Sequence, residues 1–211
     1  MKKLLCMLLS LGVMLLFTAC GNNSGTAGSS QQASAAEKSA PAQTEKPSGN
    51  SKTLVVCFSC TGHTKALAEN AAKALQADMF IIQPEQPYSK EDLNYNDKST
   101  RATVEQNDLQ ARPKIKNKID NFANYDTIVL AYPIWWGQEP RIMDTFMESY
   151  DFSGKTLAAV CTSASSDIGS SDAALAQLGS KSAKWKDGHR FDAGTSTEEL
   201  SQWFKQIGLL K

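Results

Sequence analysis

The sequence predicts an α/β protein in which a five-stranded parallel sheet lies between two layers of helices. Short apolar runs alternate with longer segments of helical periodicity, and this β-α unit occurs five times after residue 51. The first run, 53–58, is apolar at consecutive positions, as expected for a strand covered on both faces. Loops rich in hydroxyl or aromatic residues follow the first, third and fourth runs, at 59–64, 132–140 and 162–171. In a parallel sheet these loops share one edge, which is where ligands bind.

The strands are expected at the apolar runs, namely 53–58, 79–82, 127–131, 156–161 and within 183–191. Pro84 ends the second strand, because proline cannot donate to a sheet ladder. The fifth strand is marked only by Trp185 and Phe191.

The helices are expected at 64–76, 99–109, 140–149 and 172–178, with a last helix after Ser196. Pro140 can open the third of these, because a residue in the first helical turn has no N–H partner to lose. Ser196 and Glu199 have the spacing of a capping box, in which each side chain accepts from the backbone of the other. Every strand is thus joined to the next by a helix or a long loop, as parallel pairing requires.

The first fifty residues lie outside this pattern. Lys2 and Lys3 precede an apolar run at 4–17, which is typical of a signal peptide. The small residues before Cys20 resemble a bacterial lipobox, so we expect a signal at 1–19 and acylation of Cys20, for example by palmitate. The alternative is a plain signal peptide that is cleaved after Ala19. The expected location is outside the cytoplasm, anchored by lipid to a bacterial membrane.

Residues 20–50 are expected to be a disordered tether, because 21–50 contain no Leu, Ile, Val, Met or aromatic residue. Residues 51–211 then form the folded domain. The whole chain has 22 basic and 22 acidic residues, and without a basic stripe it is not expected to bind nucleic acid.

The turn at 59–64 predicts an anion site, most simply for a phosphate. It joins a buried strand to a helix, so backbone N–H groups, hydroxyls and the positive end of a helix dipole converge there. The turn lacks the lysine of a Walker loop and the three glycines of a dinucleotide fingerprint, which argues against both nucleotide classes. The alternative is an ordinary capped helix start.

The loop at 132–140 predicts a binding surface. Trp135 and Trp136 are adjacent, a glycine follows them, and Pro133 and Pro140 bracket them. This sequence pattern is compatible with neither a helix nor a continued strand. The two tryptophans are therefore not expected to be ordinary core residues, although the alternative for each is a packing role.

The motif Tyr132-Pro133-Ile134-Trp135-Trp136-Gly137, taken with 59–64 and Cys161-Thr162, resembles the flavodoxins, and the resemblance covers about 52–210. It implies a flavodoxin-like three-layer α/β/α fold with strand order 2-1-3-4-5 and one non-covalent flavin mononucleotide (FMN). The residues implied for the phosphate are Ser59, Thr61, Gly62, His63 and Thr64. Those implied for the ring are Tyr132, Pro133, Trp135, Trp136 and Gly137. Those implied for its polar edge are Thr162, Ser163, Ser166 and Gly169.

Several points stay open within this resemblance. His63 either contacts the phosphate or is an exposed turn residue. The second face of the ring is covered by Tyr88 or another side chain, or is open to a substrate, and no cation is expected beside the ring. The thiols of Cys57, Cys60 and Cys161 are expected to be free, with a Cys60–Cys161 disulfide as the alternative. No catalytic residue and no metal site is predicted.

Three functions compete at this point. The first is an electron carrier whose donor and acceptor the sequence does not identify. The second is an FMN-dependent reductase of quinone-type acceptors that uses NAD(P)H, and the third is a binding module that has lost the flavin.

Overall fold

The computed structural model describes residues 52–211. The predicted signal peptide, Cys20 and the tether lie outside the described residues. The strands are β1 (Thr53–Cys57), β2 (Asp78–Ile81), β3 (Thr127–Pro133), β4 (Thr156–Thr162), β5 (Lys184–Trp185) and β6 (His189–Arg190). The helices are α1 (His63–Leu75), α2 (Arg101–Asn107), α3 (Arg141–Ser149), α4 (Ser171–Leu178) and α5 (Thr197–Gln206), with a 3₁₀ turn at Phe122–Asn124.

The sheet has the order β2-β1-β3-β4-β5, and every pairing between its strands is parallel. This confirms the expected α/β class and strand order. The chain switches direction across the sheet between β1 and β3, and β3 lies between β1 and β4. The carboxyl ends of β1, β3 and β4 are therefore neighbours at one edge, as the positions of the three loops required.

The two faces of the sheet pack against different helices. Alternate residues of β1 and β3, such as Val56 and Leu130, join a cluster with α3 and α4. Their neighbours, such as Val55 and Val129, join a second cluster with α1 and α5. Both faces are thus buried, which explains why the strands are apolar at consecutive positions.

The outermost strand is broken into two short pieces, and the sequence did not predict this break. Leu157 pairs with Trp185, and Val160 pairs with His189, so three steps along β4 match four along the outer strand. The extra residue is a bulge. Gly188 lies between the two pieces of the outer strand, where a Cβ would lie 2.5 Å from Cδ1 of Ile168. The bulge allows Arg190 to pair beside Cys161 at the edge that carries the loops.

The other departures from the sequence prediction are local. The second helix is shorter than 99–109, and Ile115 forms an isolated antiparallel bridge with Pro84. At α5 the Ser196 hydroxyl accepts from the N–H of Glu199 at 3.1 Å, the first half of the predicted capping box. Among residues 52–211, no helix combines the length and apolar character needed to cross a bilayer.

Candidate functional site

A cavity of about 400 Å³ lies at the carboxyl ends of β1, β3 and β4. Its volume falls within the range of roughly 300–1,000 Å³ that small-molecule sites occupy. Five loops contribute to its wall, which consists of Cys60, Thr61, His63, Thr64, Leu93, Tyr95, Pro133, Ile134, Trp135, Thr162, Ser163, Ala164, Phe191, Asp192 and Ala193.

One end of the cavity is formed by the amino terminus of α1. Gly62 is the N-cap residue with φ +90°, and no side chain caps this helix end. The N–H of Gly62 donates to the Ser59 hydroxyl at 3.2 Å, which shapes the turn. The first turn of α1 carries no acidic residue. Its N–H groups have no acceptor within the helix, so they and the helix dipole favour a negatively charged group here.

Thr64 and Thr162 join the first turn of α1 to the end of β4. Their hydroxyl oxygens lie 2.7 Å apart, and both side chains are buried. His63, which precedes Thr64, is exposed, and its Nδ1 lies 3.3 Å from the Thr61 hydroxyl. Hydroxyl groups from two loops therefore lie at the same end of the cavity.

The two tryptophans are separated by a tight turn. The N–H of Trp135 donates to the Gln138 carbonyl at 2.9 Å, and that of Gln138 donates back at 3.0 Å. Trp136 and Gly137 lie between them with φ +49° and +79°, as in a type I′ turn. Trp135 is consequently 4% exposed and lines the cavity, whereas Trp136 is 38% exposed and lies outside its wall.

Trp135 is supported from behind by two other aromatic rings. The rings of Phe58 and Tyr88 meet it edge-on, with centroids 5.6 and 5.3 Å away. The Tyr88 hydroxyl donates to Glu105, and burial together with this hydrogen bond raises the pKa of Tyr88. Tyr88 is therefore a support for Trp135 and does not form the cavity wall.

Tyr95 is a second aromatic residue of the cavity wall, and it comes from the loop after β2. It lies in the segment between β2 and α2, lines the cavity, and its ring centroid is 4.7 Å from that of Trp136. The local hydrogen bonds between Ser89 and Asp92 order this segment. Of the two tyrosines on this loop, Tyr95 lines the cavity and Tyr88 does not.

The loop after β4 is held by Arg190. The guanidinium of Arg190 donates to the Ser163 carbonyl from Nε at 3.2 Å and from Nη2 at 2.9 Å. The Ser163 hydroxyl accepts from the N–H groups of Ser165 and Ser166. Asp167 accepts from its neighbour Ile168 and lies outside the cavity wall. Arg190 bonds the wall residue Ser163 directly, but its own side chain does not line the cavity.

A buried charged cluster lies behind the Trp136 turn. Arg141 donates to the Gln138 side chain at 2.6 Å and forms ion pairs with Glu139 and Asp144 at 3.4 Å each. Burial raises the pKa of Glu139 to about 7, and the Asp144 carboxyl adds to this while Arg141 opposes it. The cluster anchors the turn to α3. Within residues 52–211, no group of three or more His, Cys, Asp or Glu side chains is arranged to hold a metal ion.

Half of the residues proposed from the sequence line the cavity. They are Thr61, His63, Thr64, Pro133, Trp135, Thr162 and Ser163. The others lie outside its wall, namely Ser59, Gly62, Tyr132, Trp136, Gly137, Ser166 and Gly169.

The predicted residues that lie outside the cavity wall have identifiable structural roles. Strand alternation turns Tyr132 away from the cavity into the core, where its hydroxyl lies 2.9 Å from that of Ser171. Gly137 and Gly169 have φ angles of +79° and +60°, a left-handed backbone conformation that glycine adopts without strain. Ser59 and Ser166 shape their loops through the hydrogen bonds given above.

Sequence reasoning missed the wall residues that come from the loops after β2 and β6. Tyr95 and Asp192 lie in polar segments whose paths no periodicity marks, although a tyrosine in a long polar loop was a usable signal. Cys60, for which the sequence predicted no contact with a ligand, also lines the wall. It is a free thiol, as are Cys57 and Cys161, and burial raises the pKa of Cys60 to about 12, so it is not ionised at neutral pH.

Comparison with known proteins agrees with this arrangement. The family model described as Flavodoxin matches residues 52–207. A Bacteroides eggerthii protein assigned as a flavoprotein is 39% identical, covers 74% of this chain and 98% of its own, and superposes with a TM-score of 0.70. A protein from Bacteroides uniformis, assigned likewise, is 40% identical over the same shares with a TM-score of 0.69.

A more distant structure has the same fold. A Lactobacillus acidophilus flavoprotein, solved in complex with FMN, is 20% identical, covers 72% of this chain and 98% of its own, and has a TM-score of 0.54. None of the curated proteins matches the chain.

Proposed function

The chain belongs to the flavodoxin family, and from this membership we propose that its cavity binds one FMN non-covalently and that the bound flavin exchanges electrons with a partner. One observation carries the proposal. The uncapped amino terminus of α1 and the aromatic side chains of Trp135 and Tyr95 belong to one cavity of about 400 Å³. Such a cavity suits a ligand with an anionic end and a planar end.

The residues at the α1 end fit a phosphate. Thr61 and Thr64 offer hydroxyls, and His63 and Thr64 offer first-turn N–H groups. Gly62 supplies the left-handed backbone at the start of the helix. The wall residues that the structure describes include no Lys or Arg. The phosphate would therefore be held by hydrogen bonds and the helix dipole rather than by a salt bridge.

The other end fits a flavin ring. Trp135, Tyr95, Leu93 and Ile134 form an apolar and aromatic wall that would exclude water from a planar group. A bound flavin would supply one- and two-electron redox chemistry there. The protein's own contribution is to hold the ring, keep it dry and fix the hydrogen-bonding groups at its edge.

A second candidate is a reductase that passes electrons from NAD(P)H to a quinone-type acceptor. One feature favours it: Tyr95 is 59% exposed and Trp136 is 38% exposed beside the cavity. Exposed aromatic rings in contact with each other offer a stacking surface for a planar acceptor.

We also propose that the protein works outside the cytoplasm on a lipid anchor at Cys20. The support is the sequence before and after Cys20, where a charged and apolar signal is followed by a segment without large apolar residues. Usual cytoplasmic electron donors would then be absent, so the donor must be another extracytoplasmic or membrane-bound carrier.

The decisive experiment is an absorption spectrum of the purified protein, followed by FMN titration of any flavin-free fraction. We expect a flavin spectrum and saturation at one FMN per chain. Failure to bind FMN would overturn the proposal and leave a binding module on the same fold. Steady oxidation of NAD(P)H with a quinone would establish the reductase, and its absence in a flavin-loaded protein would favour the carrier.

A further inference from the structure

Arg190 connects two walls of the cavity without belonging to either. Its guanidinium donates twice to the Ser163 carbonyl, and Nη2 also donates to the Asp192 carboxylate at 2.9 Å. Ser163 and Asp192 both line the cavity, whereas Arg190 does not. The side chain thus ties the loop after β4 to the loop after β6 from outside the cavity.

These hydrogen bonds fix the direction of one peptide group. The Ser163–Ala164 bond is trans, so its carbonyl and the N–H of Ala164 point in opposite directions. Because the Ser163 carbonyl is directed at Arg190, the N–H of Ala164 is directed away from the guanidinium. Ala164 itself lines the cavity. Within residues 52–211, this N–H donates to no other group.

We propose that Arg190 is a positioning residue that locks the Ser163–Ala164 peptide as a hydrogen-bond donor on the cavity wall, where it donates to an acceptor atom at the polar edge of the bound flavin. The inference rests on the proposed function and adds the residue that orients the site. Rotating this peptide would turn the carbonyl towards the ligand and break both bonds to the guanidinium. Charge-assisted bonds of this kind are the stronger ones in proteins, so the peptide is held in one orientation.

The same arrangement affects the charge that the ring can bear. The Ala164 N–H would donate to the ring edge, and the positive charge of Arg190 lies on the other side of the same peptide. Both favour negative charge on the ring edge, and reduction of a flavin increases that charge. Asp192, on the loop after β6, would otherwise repel an anionic ligand, and its ion pair with Arg190 reduces that repulsion. Arg190 therefore favours both binding and reduction.

The test compares Arg190→Gln with Arg112→Gln in the full-length protein. Arg112 is a matched control, because it also donates to backbone carbonyls, of Leu109 and Ala111, and to a carboxylate, that of Glu148. None of these groups lines the cavity. We expect Arg190→Gln to weaken FMN binding about tenfold, the loss of the hydrogen bond from the Ala164 N–H, and to lower the midpoint potential of the bound flavin. Arg112→Gln should change neither quantity.

A third variant, Arg190→Lys, separates charge from geometry. Lysine keeps the positive charge but cannot make the forked contact, so the midpoint potential should fall less than in Arg190→Gln. Unchanged FMN affinity and potential in a folded Arg190→Gln protein would overturn the proposal, as would equal effects of Arg190→Gln and Arg112→Gln.

Hydrogen exchange of the flavin-free protein gives a readout that needs no ligand. Arg190→Gln should speed amide exchange in peptides covering 162–166, whereas Arg112→Gln should not, and unchanged exchange would refute the locking of this loop. If the wild-type protein binds no FMN while Arg190→Gln speeds exchange, the proposed function fails and the structural role of Arg190 stands. If FMN binds and the variant changes nothing, only the role of Arg190 fails.

Discussion

The hydroxyl oxygens of Thr64 and Thr162 lie 2.7 Å apart, although the two residues are 98 positions apart in the chain. Thr64 lies in the first turn of α1 and Thr162 ends β4. Both side chains are buried, so each hydroxyl depends on the other for its hydrogen bond. This pair joins two of the loops that the sequence identified as candidates.

We expect Thr162→Val to lower the free energy of unfolding by about 1–2 kcal/mol, because it leaves the buried Thr64 hydroxyl without this partner. Thr64→Val should cost a similar amount. The double variant should cost less than the sum, since replacing both partners removes the unsatisfied group. Urea unfolding of all four proteins measures the coupling. Strictly additive losses would mean that the two hydroxyls do not depend on each other.

Gly62→Ala should destabilise the protein by about 1 kcal/mol, because alanine is strained at a positive φ. The backbone at Gly62 has φ +90°, and an added Cβ would have no atom within 4 Å, so strain is the whole cost. Gly194→Ala is the control, since that site is equally open but has no positive φ. Thermal or urea unfolding measures both. Equal effects of the two variants would contradict the role of the backbone conformation.

The β1–α1 junction could be predicted because its determinants are local. Apolar residues at consecutive positions, then a hydroxyl-rich turn with one glycine, then helical periodicity are all visible between residues 53 and 76. The same holds for the turn that carries Trp135 and Trp136. What the sequence could not decide was the direction of each side chain, which depends on strand alternation and on a turn with two positive φ values.

The contributions of Tyr95, Asp192 and Arg190 could not be predicted, because tertiary contacts bring them to the site. Tyr95 lies on a long polar loop, and the other two follow a one-residue bulge that depends on close packing at Gly188. Neither feature has a periodicity that a sequence reveals. About half of the site residues could therefore be predicted from the local sequence, and the other half are brought to the site by tertiary contacts.

The adjacent tryptophans should differ sharply when each is replaced by alanine. Trp135→Ala should cost about 3–5 kcal/mol, because it removes a buried ring that packs on Phe58 and Tyr88. Trp136→Ala should cost only about 0.5–1.5 kcal/mol, the value of its contact with Tyr95. The backbone strain from the positive φ at position 136 is the same in both variants and in the wild type, so it does not affect the comparison. Urea unfolding decides, and similar losses at both positions would refute the assignment of one buried and one exposed ring.

Cys20→Ser should release the protein from membranes. Two or three acyl chains on Cys20, at roughly 0.8 kcal/mol per buried methylene, would anchor the chain stably, and serine cannot accept them. Detergent phase partitioning of cell extracts measures the change. Cys60→Ser is the control and should stay with the membrane fraction. If the Cys20 variant also remains there, lipidation at this position is not the anchor.

The stability of the protein should fall as pH rises from about 4.5 to about 7, because burial raises the pKa of Glu139 from 4.5 to about 7. Below this window both the folded and unfolded states hold the proton, and within it only the folded state does. The unfolded state therefore gains stability as pH rises. Glu139→Gln cannot ionise, so we expect it to match the wild type near pH 4.5 and to exceed it at pH 8 by up to about 3 kcal/mol.

The control is Glu148→Gln, at the exposed end of the same charged region. The hydrogen bond from Arg112 lowers the pKa of Glu148, so its ionised form stabilises the fold and this variant should gain nothing at pH 8. Urea unfolding of the three proteins at both pH values provides the comparison. A Glu139→Gln protein no more stable than the wild type at pH 8 would mean that Glu139 is ionised in the fold at neutral pH. Its ion pair with Arg141 would then outweigh its burial.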